Sequence, residues 1–261
     1  MPHAQRRKVP IAGRPATSSV DTQEVEKFSR LAEQWWDPNG KLGPLHRLNP
    51  IRLAFIRTQA LGHFGRAESE ISPFHGLSLL DIGCGGGLLA EPMARLGFAV
   101  TGADPSEANL RAAALHAEQQ EIPIHYVCRP AEDLADEGCT FDVVLSMEVI
   151  EHVTDLGAFL CACAALVKPG GLLLVATINK TFKSFALAKI GAEYVLSWVP
   201  RGTHDWSKFV TPAQLKASLA RNNLRVVAVQ GVAFDPLAWD WRLSRDTDVN
   251  YMVVASKPGA K

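Results

Sequence analysis

The most constraining feature of this sequence is an apolar segment that runs directly into a cluster of glycines. Residues 78–82 are apolar apart from Ser78 and Asp81, and Gly83, Gly85 and Gly87 then recur at every second position. Glycine is favoured where the backbone adopts positive φ or where a ligand must approach the chain closely. The pattern therefore predicts a strand, a tight turn and a helix near Leu88 whose first N–H groups meet a nucleotide-like ligand.

Two registers of the glycines fit different ligands. Gly85-x-Gly87-x-x-Ala90 imitates a dinucleotide fingerprint, whereas Gly83-x-Gly85-x-Gly87 places its first glycine directly after the strand. The second register also sets Asp81 two residues before that glycine. A carboxylate there would repel a pyrophosphate but attract an ammonium group.

Further acidic residues follow the next strands. Asp104 ends the second predicted strand, where a carboxylate accepts hydrogen bonds from both hydroxyls of a ribose. This feature suits NAD and S-adenosylmethionine equally. Glu132 and Asp133 follow the third predicted strand, and we expect them near the edge of the adenine; for Asp133 the alternative is an acid that stabilises a helix start. Ala131, beside them, is also taken as a cofactor-binding residue.

The alternation of short apolar segments with helical patterns predicts an α/β fold of the Rossmann-like type. We expect seven strands in a mostly parallel sheet, with helices on both faces and a closing hairpin that makes one strand antiparallel. The expected strands are 78–82, 99–103, 124–128, 141–146, 171–177, 225–232 and 249–256.

The domain organisation is read from the same patterns. Residues 1–20 contain four basic residues and no acid, and their prolines favour a disordered tail over a mitochondrial transit peptide. Residues 21–261 form one domain. Within it we expect a helical cap (21–66), a cofactor-binding core (77–178), an insertion that serves the substrate or a membrane (179–211) and C-terminal strands (212–261).

Two helices are expected in the cap. The first starts at Asp21 or Thr22 and is stopped by residues 37–40, and the second covers Pro44–Phe64, entered through Asn49 and Pro50.

Composition excludes some classes of function. Lys plus Arg and Asp plus Glu each number 27, so no net field attracts nucleic acid. The five cysteines show no CxxC spacing, and no apolar run reaches the roughly 18 residues that span a bilayer. We expect a cytoplasmic protein without nucleic-acid partners.

The motifs together resemble those of class I S-adenosylmethionine-dependent methyltransferases. The resemblance is carried by residues 79–87, Asp104, 141–144 and 168–171. Three further segments are similar to the ubiquinone biosynthesis O-methyltransferases of the UbiG and Coq type. They are Trp35-Trp36-Asp37 with 45–53, Met147–Val153, and 202–206 with 249–252.

The resemblance implies roles for single residues. It places cofactor contacts at Arg52, Gly83, Asp104 and Met147, to which the motif reading adds Asp81, Gly85, Ala131 and Glu132. Arg52 would pair with the methionine carboxylate, and Met147 would pack against the adenine.

A divalent cation such as Mg²⁺ is implied at Glu148, Glu151 and His152. Their i, i+3 and i+4 spacing places them on one face if a helix follows the fourth strand; acids that stabilise a helix start are the alternative.

The implied reaction is O-methylation of a polyprenylated catechol or demethylubiquinol. A phenol with a pKa near ~10 must be ionised to attack, and His152 and His204 are both candidates to accept its proton; the catalytic base remains unassigned. The basic and apolar segment 180–201 predicts either contact with a membrane surface or a lid helix packed on the core. Membrane contact would place the enzyme peripherally at the inner membrane, and the resemblance adds a ubiquinone-biosynthesis complex as an expected partner. Two alternatives remain, another small-molecule methyltransferase and an NAD-dependent dehydrogenase.

Overall fold

The protein is described by a computed structural model that covers residues 18–185, 206–235, 238 and 240–259. Eight strands form one sheet in the order β3-β2-β1-β4-β5-β8-β6-β7. The strands are β1 (Ser78–Ile82), β2 (Ala99–Ala103), β3 (His125–Val127), β4 (Phe141–Met147), β5 (Val167–Ile178), β6 (Arg225–Asp235), β7 (Asp240–Ser244) and β8 (Asn250–Ser256).

The Rossmann-like sheet is confirmed, but it has eight strands where seven were expected. β1 to β5 are parallel, and β8 pairs antiparallel with both β5 and β6. The additional strand, β7, pairs antiparallel with β6 at the edge of the sheet. Its five residues contain only Trp241 and Leu243 as apolar residues, and Leu243 is exposed. So short a pattern on an edge strand gives little periodic signal.

Helices cover both faces, as the alternation of buried side chains along the strands requires. Leu80 and Ile82 belong to one core cluster, and Leu79 belongs to another. The helices are α1 (Thr22–Ser29), α2 (Gly43–Phe64), α3 (Ala90–Arg95), α4 (Glu107–Gln119), α5 (Ala131–Asp136), α6 (Leu156–Leu166), α7 (Phe182–Ser184) and α8 (Pro212–Arg221). Side chains of α5, α6 and α8 build the first cluster, and those of α2 and α3 build the second.

The N-terminal cap consists of two helices. The start of the first at Thr22 and the end of the second at Phe64 are as expected, and the other two bounds differ. α1 begins after Asp21, whose carboxylate accepts hydrogen bonds from the N–H groups of Gln23 and Glu24. It ends at Ser29, well before the turn at residues 37–40 that was expected to stop it. α2 begins at Gly43 with Pro44 in its first turn, so Pro50 lies inside the helix and not at its entry.

The order of the strands determines where a ligand binds. The chain crosses from β1 to β2 and β3 on one side and to β4 and β5 on the other. In open α/β sheets such a switch point leaves a crevice at the carboxyl ends of the strands. The glycine loop, Asp104 and Met147 all lie at these ends.

Candidate cofactor and active site

The glycine loop is held tightly against the end of β2. The N–H groups of Gly83 and Cys84 both donate to the carbonyl of Ala103, at 2.8 and 3.1 Å. Gly83, Gly85 and Gly87 have φ values of +68°, +53° and +87°, which L side chains rarely adopt. The geometry explains why glycine recurs at these three positions.

Two tryptophans of the cap lie on this loop, a contact that the sequence reasoning missed. The indole of Trp35 packs so closely that a Cβ added at Gly85 or Gly86 would overlap it. The Nε1 of Trp36 donates to the carbonyl of Gly86 at 3.0 Å. The sequence marked these residues only through the segment Trp35-Trp36-Asp37 of the family resemblance, which gave them no contact with the loop.

Asp104 faces the glycine loop from the end of β2. One carboxylate oxygen accepts from the N–H of Gly85 at 2.9 Å. The other accepts from the N–H of Ser106 at 2.8 Å and the Nδ2 of Asn109 at 3.3 Å. Burial raises the pKa of Asp104, and the hydrogen bonds from Ser106 and Gly85 oppose this shift. The carboxylate is held in one orientation at the position expected for a ribose ligand.

Asp81 and Arg52 are buried charges with incomplete hydrogen bonding. Asp81 is 2% exposed, and its Oδ2 has no partner among the described residues. Burial raises the pKa of Asp81 to about 7; Arg52 lowers it and Asp104 adds to the rise. The guanidinium of Arg52 donates to the Oδ1 of Asn49 at 3.0 Å, while its Nε is unpartnered within the described chain. Both groups retain capacity for a zwitterionic ligand, and the amino acid end of S-adenosylmethionine fits them.

We expect Asp81→Asn to stabilise the protein measured without cofactor, more at pH 8 than at pH 5. The pKa of Asp81 is raised from 3.8 to about 7 in the fold, so its unfavourable burial grows as the pH rises from about 4 to 7 and is complete above 7. Asparagine stays neutral throughout this range. Thermal unfolding at both pH values measures the effect, and an equal shift in Tm at pH 5 and pH 8 would show that the carboxyl group is not protonated in the fold.

The remaining expected cofactor residues line the same cavity as Asp81, Asp104 and the glycine loop. One of them, Glu132, already has a partner in the protein. Ala131 and Met147 are buried and line it. Glu132 also lines the cavity, but its Oε1 accepts hydrogen bonds from the N–H and the hydroxyl of Ser19. Ser19, which was assigned to the tail, is therefore packed against α5.

The segment after β4 is a turn and not the expected helix. Glu148 has φ +58°, and α6 begins only after Asp155, which caps it. Glu148, Glu151 and His152 therefore do not share a helical face. This was an error of the sequence reasoning, because the spacing i, i+3, i+4 is also compatible with a turn.

The three side chains of this turn have different partners. Thr177 donates its hydroxyl to Glu151 at 2.8 Å, and the Nδ1 of His152 lies 2.9 Å from the Oε2 of Glu24. Burial, and then the neighbouring Glu151, raise the pKa of Glu148 to about 8. Within the described ranges, no three His, Cys, Asp or Glu side chains converge to hold a metal ion.

One cavity of about 770 Å³ is lined by the glycine loop, by the buried charges around it and by the turn after β4, and it continues along an apolar wall. This volume lies in the range of roughly 300–1,000 Å³ that is typical of small-molecule sites. The apolar wall is formed by α2 and by the β6–β7 hairpin. Its lining includes Leu45, Leu48, Val232, Phe234 and Trp241. The missed strand β7 therefore contributes to the site.

The described ends of the insertion are attached to the core. Lys180 donates to the carbonyl of Ser207 at 2.8 Å, and Trp206 donates to the carbonyl of Thr181 at 3.2 Å. Residues 186–205, which include His204 and most of the segment 180–201, lie outside the described residues. In the part of the chain that is described, no helix has the length and apolar character to cross a membrane.

Comparison with known proteins agrees with this geometry. Residues 55–229 match the model of a methyltransferase domain family. A magnesium protoporphyrin IX methyltransferase from Synechocystis PCC 6803, solved with bound S-adenosylhomocysteine, has a similar fold, with a TM-score of 0.60, 20% identity, and coverage of 89% of this chain and 94% of that one. A protein from Pyrococcus horikoshii OT3 gives a TM-score of 0.59 at 17% identity, covering 88% and 98% of the two chains. The fold and the site thus define a class I S-adenosylmethionine-dependent methyltransferase.

Curated relatives narrow this class. The ubiquinone biosynthesis O-methyltransferase of Caulobacter vibrioides is 58% identical over 92% of this chain and 95% of its own length. That of Rhodopseudomonas palustris strain HaA2 is 56% identical over the same shares. The chain belongs to the family of ubiquinone biosynthesis O-methyltransferases.

Proposed function

We propose that this enzyme methylates a phenolic oxygen of a polyprenylated catechol or demethylubiquinol. The observation that carries the proposal is the single cavity in which the buried charges at the glycine loop adjoin the apolar surface of α2 and the β6–β7 hairpin. A charged cofactor and a lipid-like acceptor require these two environments side by side. S-adenosylmethionine supplies the methyl group from its sulfonium.

The chain's own residues have distinct roles in this proposal. Asp104 accepts hydrogen bonds from the ribose, Asp81 attracts the ammonium group, and Arg52 pairs with the carboxylate of the methionine part. Met147 and Ala131 contact the adenine. The cap covers the glycine loop, and in this proposal it would help to exclude water from the reacting groups. Of the two candidate proton acceptors, His152 lines the cavity, and His204 lies outside the described residues.

The test of this function is transfer of labelled methyl groups from S-adenosylmethionine to a short-chain prenyl catechol. We expect product with the prenyl catechol, and weaker activity with a catechol that lacks the chain. Absence of transfer to any catechol or quinol, from a protein that binds S-adenosylmethionine, would favour another small-molecule methyltransferase.

We further propose that Glu148 and Glu151 bind a divalent cation. Mg²⁺ is commonly held by one or two carboxylates and keeps several waters, so two neighbouring acids in a cavity suffice. His152 fits this set poorly, because Glu24 already occupies its Nδ1.

Under this proposal, Mg²⁺ should raise the Tm of the wild type and leave that of Glu148→Gln/Glu151→Gln unchanged. A cation that binds only the folded state stabilises it, and a shift of about 2–4 °C corresponds to about 1 kcal/mol in a domain of this size. Differential scanning fluorimetry with Mg²⁺ and with a chelator measures it. A shift of equal size in the double variant would place the cation elsewhere, and no shift in the wild type would contradict the site.

We propose also that segment 180–201 contacts the membrane in which the lipid-soluble acceptor of the enzyme resides. This contact would place the enzyme peripherally at the inner membrane, near other enzymes of ubiquinone biosynthesis. Support comes from its sequence, which combines apolar and basic residues, and from Phe182, which is 83% exposed. Flotation with anionic liposomes tests this idea, and equal recovery of the full chain and a chain lacking 180–201 would disprove it.

A further inference from the structure

We infer that Trp35 is a positioning residue for the cofactor, and that it acts by fixing the orientation of Asn109, which in turn fixes the carboxylate of Asp104. Trp35 lies in the cap, 74 positions away from Asn109 in the sequence. The inference rests on the proposed role of Asp104 as the acceptor for the ribose.

The three side chains form one continuous hydrogen-bonded chain. The Nε1 of Trp35 donates to the Oδ1 of Asn109 at 2.9 Å. The Nδ2 of Asn109 then donates to the Oδ1 of Asp104 at 3.3 Å. All three residues are buried, and Asn109 is only 2% exposed. Water therefore does not readily replace either bond.

The indole determines which way the amide points. An indole N–H donates only, and an ionised carboxylate accepts only, so each permits a single partner on the amide. If Asn109 were rotated by 180°, its Nδ2 would face the N–H of Trp35 and its Oδ1 would face Asp104. Both contacts would then be repulsive. Trp35 thus keeps the donor of Asn109 directed at the carboxylate.

The same indole also contacts the glycine loop. It packs on Gly85 and Gly86, and the N–H of Gly85 is a donor to the other oxygen of Asp104. One residue of the cap therefore contacts the glycine loop directly and is linked to Asp104 through Asn109. This arrangement couples the position of the cap to the geometry of the ribose site.

Trp36 has a separate contact and is not part of this chain of hydrogen bonds. Its ring stacks on His116 with the ring centres 3.5 Å apart, and His116 bonds to the buried Glu91 at 2.7 Å. Only Trp35 reaches Asn109. The two neighbouring tryptophans thus have different partners, and only the contribution of Trp35 should depend on Asn109.

A double-mutant cycle with Trp35→Phe and Asn109→Ala tests the inference, with the affinity for S-adenosylhomocysteine measured by calorimetry. Loss of one hydrogen bond should weaken binding about 3- to 10-fold in Trp35→Phe. In the Asn109→Ala background the same substitution should change the affinity less than about twofold. In steady state, Trp35→Phe should raise the KM for S-adenosylmethionine by a similar factor and leave kcat nearly unchanged.

Equal effects of Trp35→Phe in both backgrounds would overturn the inference, because Trp35 would then act by packing alone. That outcome differs from a failure of the cofactor site itself, in which the wild type would not bind S-adenosylhomocysteine at all. If Trp35→Phe does not fold, the indole N–H resonance of Trp35 in Asn109→Ala serves instead. We expect it to shift and to exchange faster with solvent, and an unchanged resonance would contradict the hydrogen bond.

Discussion

Gly85→Ala is expected to weaken the binding of S-adenosylmethionine by about 100-fold. The backbone at this position has φ +53°, and the new Cβ would overlap the buried ring of Trp35. Overpacking of this kind destabilises by roughly 1–3 kcal/mol, and about 2.7 kcal/mol corresponds to a factor of 100 in affinity. Relief of the overlap would move either the glycine loop or the cap, and both line the cofactor cavity. Calorimetric titration of the variant measures the loss.

Gly138→Ala is the matched control for this substitution. Gly138 also has positive φ, at +75°, but nothing lies within 4 Å of an added Cβ. Both variants should lose about 1–2 kcal/mol of unfolding free energy through backbone strain. If Gly138→Ala weakened cofactor binding as much as Gly85→Ala does, general destabilisation would explain the effect and the overlap with Trp35 would not.

Asp104→Ala should reduce methyl transfer below detection at cofactor concentrations that saturate the wild type. The substitution removes the proposed acceptor of the ribose and leaves three donors, on Gly85, Ser106 and Asn109, without their partner. Each unpaired buried donor costs about 1–3 kcal/mol, so the local structure of the site also changes. Affinity for S-adenosylhomocysteine should fall by at least about 100-fold.

Asp142→Asn provides the corresponding control among the acids of the sheet. Asp142 lies near the start of β4, at the opposite end from the site, and accepts hydrogen bonds from Ser78 and Lys168. Its loss should lower Tm and leave the affinity for the cofactor unchanged. If Asp104→Ala bound the cofactor as tightly as Asp142→Asn does, Asp104 would not belong to the cofactor site.

Much of the fold could be predicted because its signals are local. β1 and β2 were predicted to the residue, since short apolar segments between turn residues mark buried strands. The glycine loop was recognisable because positive φ at Gly83, Gly85 and Gly87 restricts the choice of residue. The place of Asp104 at the carboxyl end of β2 could also be predicted, because it directly follows a strand whose end was recognised.

The errors arose where long-range contacts determine the structure. The spacing of Glu148, Glu151 and His152 predicted a helix, but Glu148 adopts a left-handed conformation and His152 pairs with Glu24 from the distant cap. Ser19 looked like part of a tail, and its bond to Glu132 joins residues 113 positions apart. Contacts of this kind leave no periodic pattern in the sequence.

Titration of the pure, folded protein with S-adenosylhomocysteine and, separately, with NADH tests the central claim most directly. The claim is that the glycine loop, Asp81 and Asp104 form a site for a charged sulfur-containing nucleoside. We predict saturable binding of one S-adenosylhomocysteine per chain and no measurable heat with NADH. Binding of NADH without binding of S-adenosylhomocysteine would contradict the account.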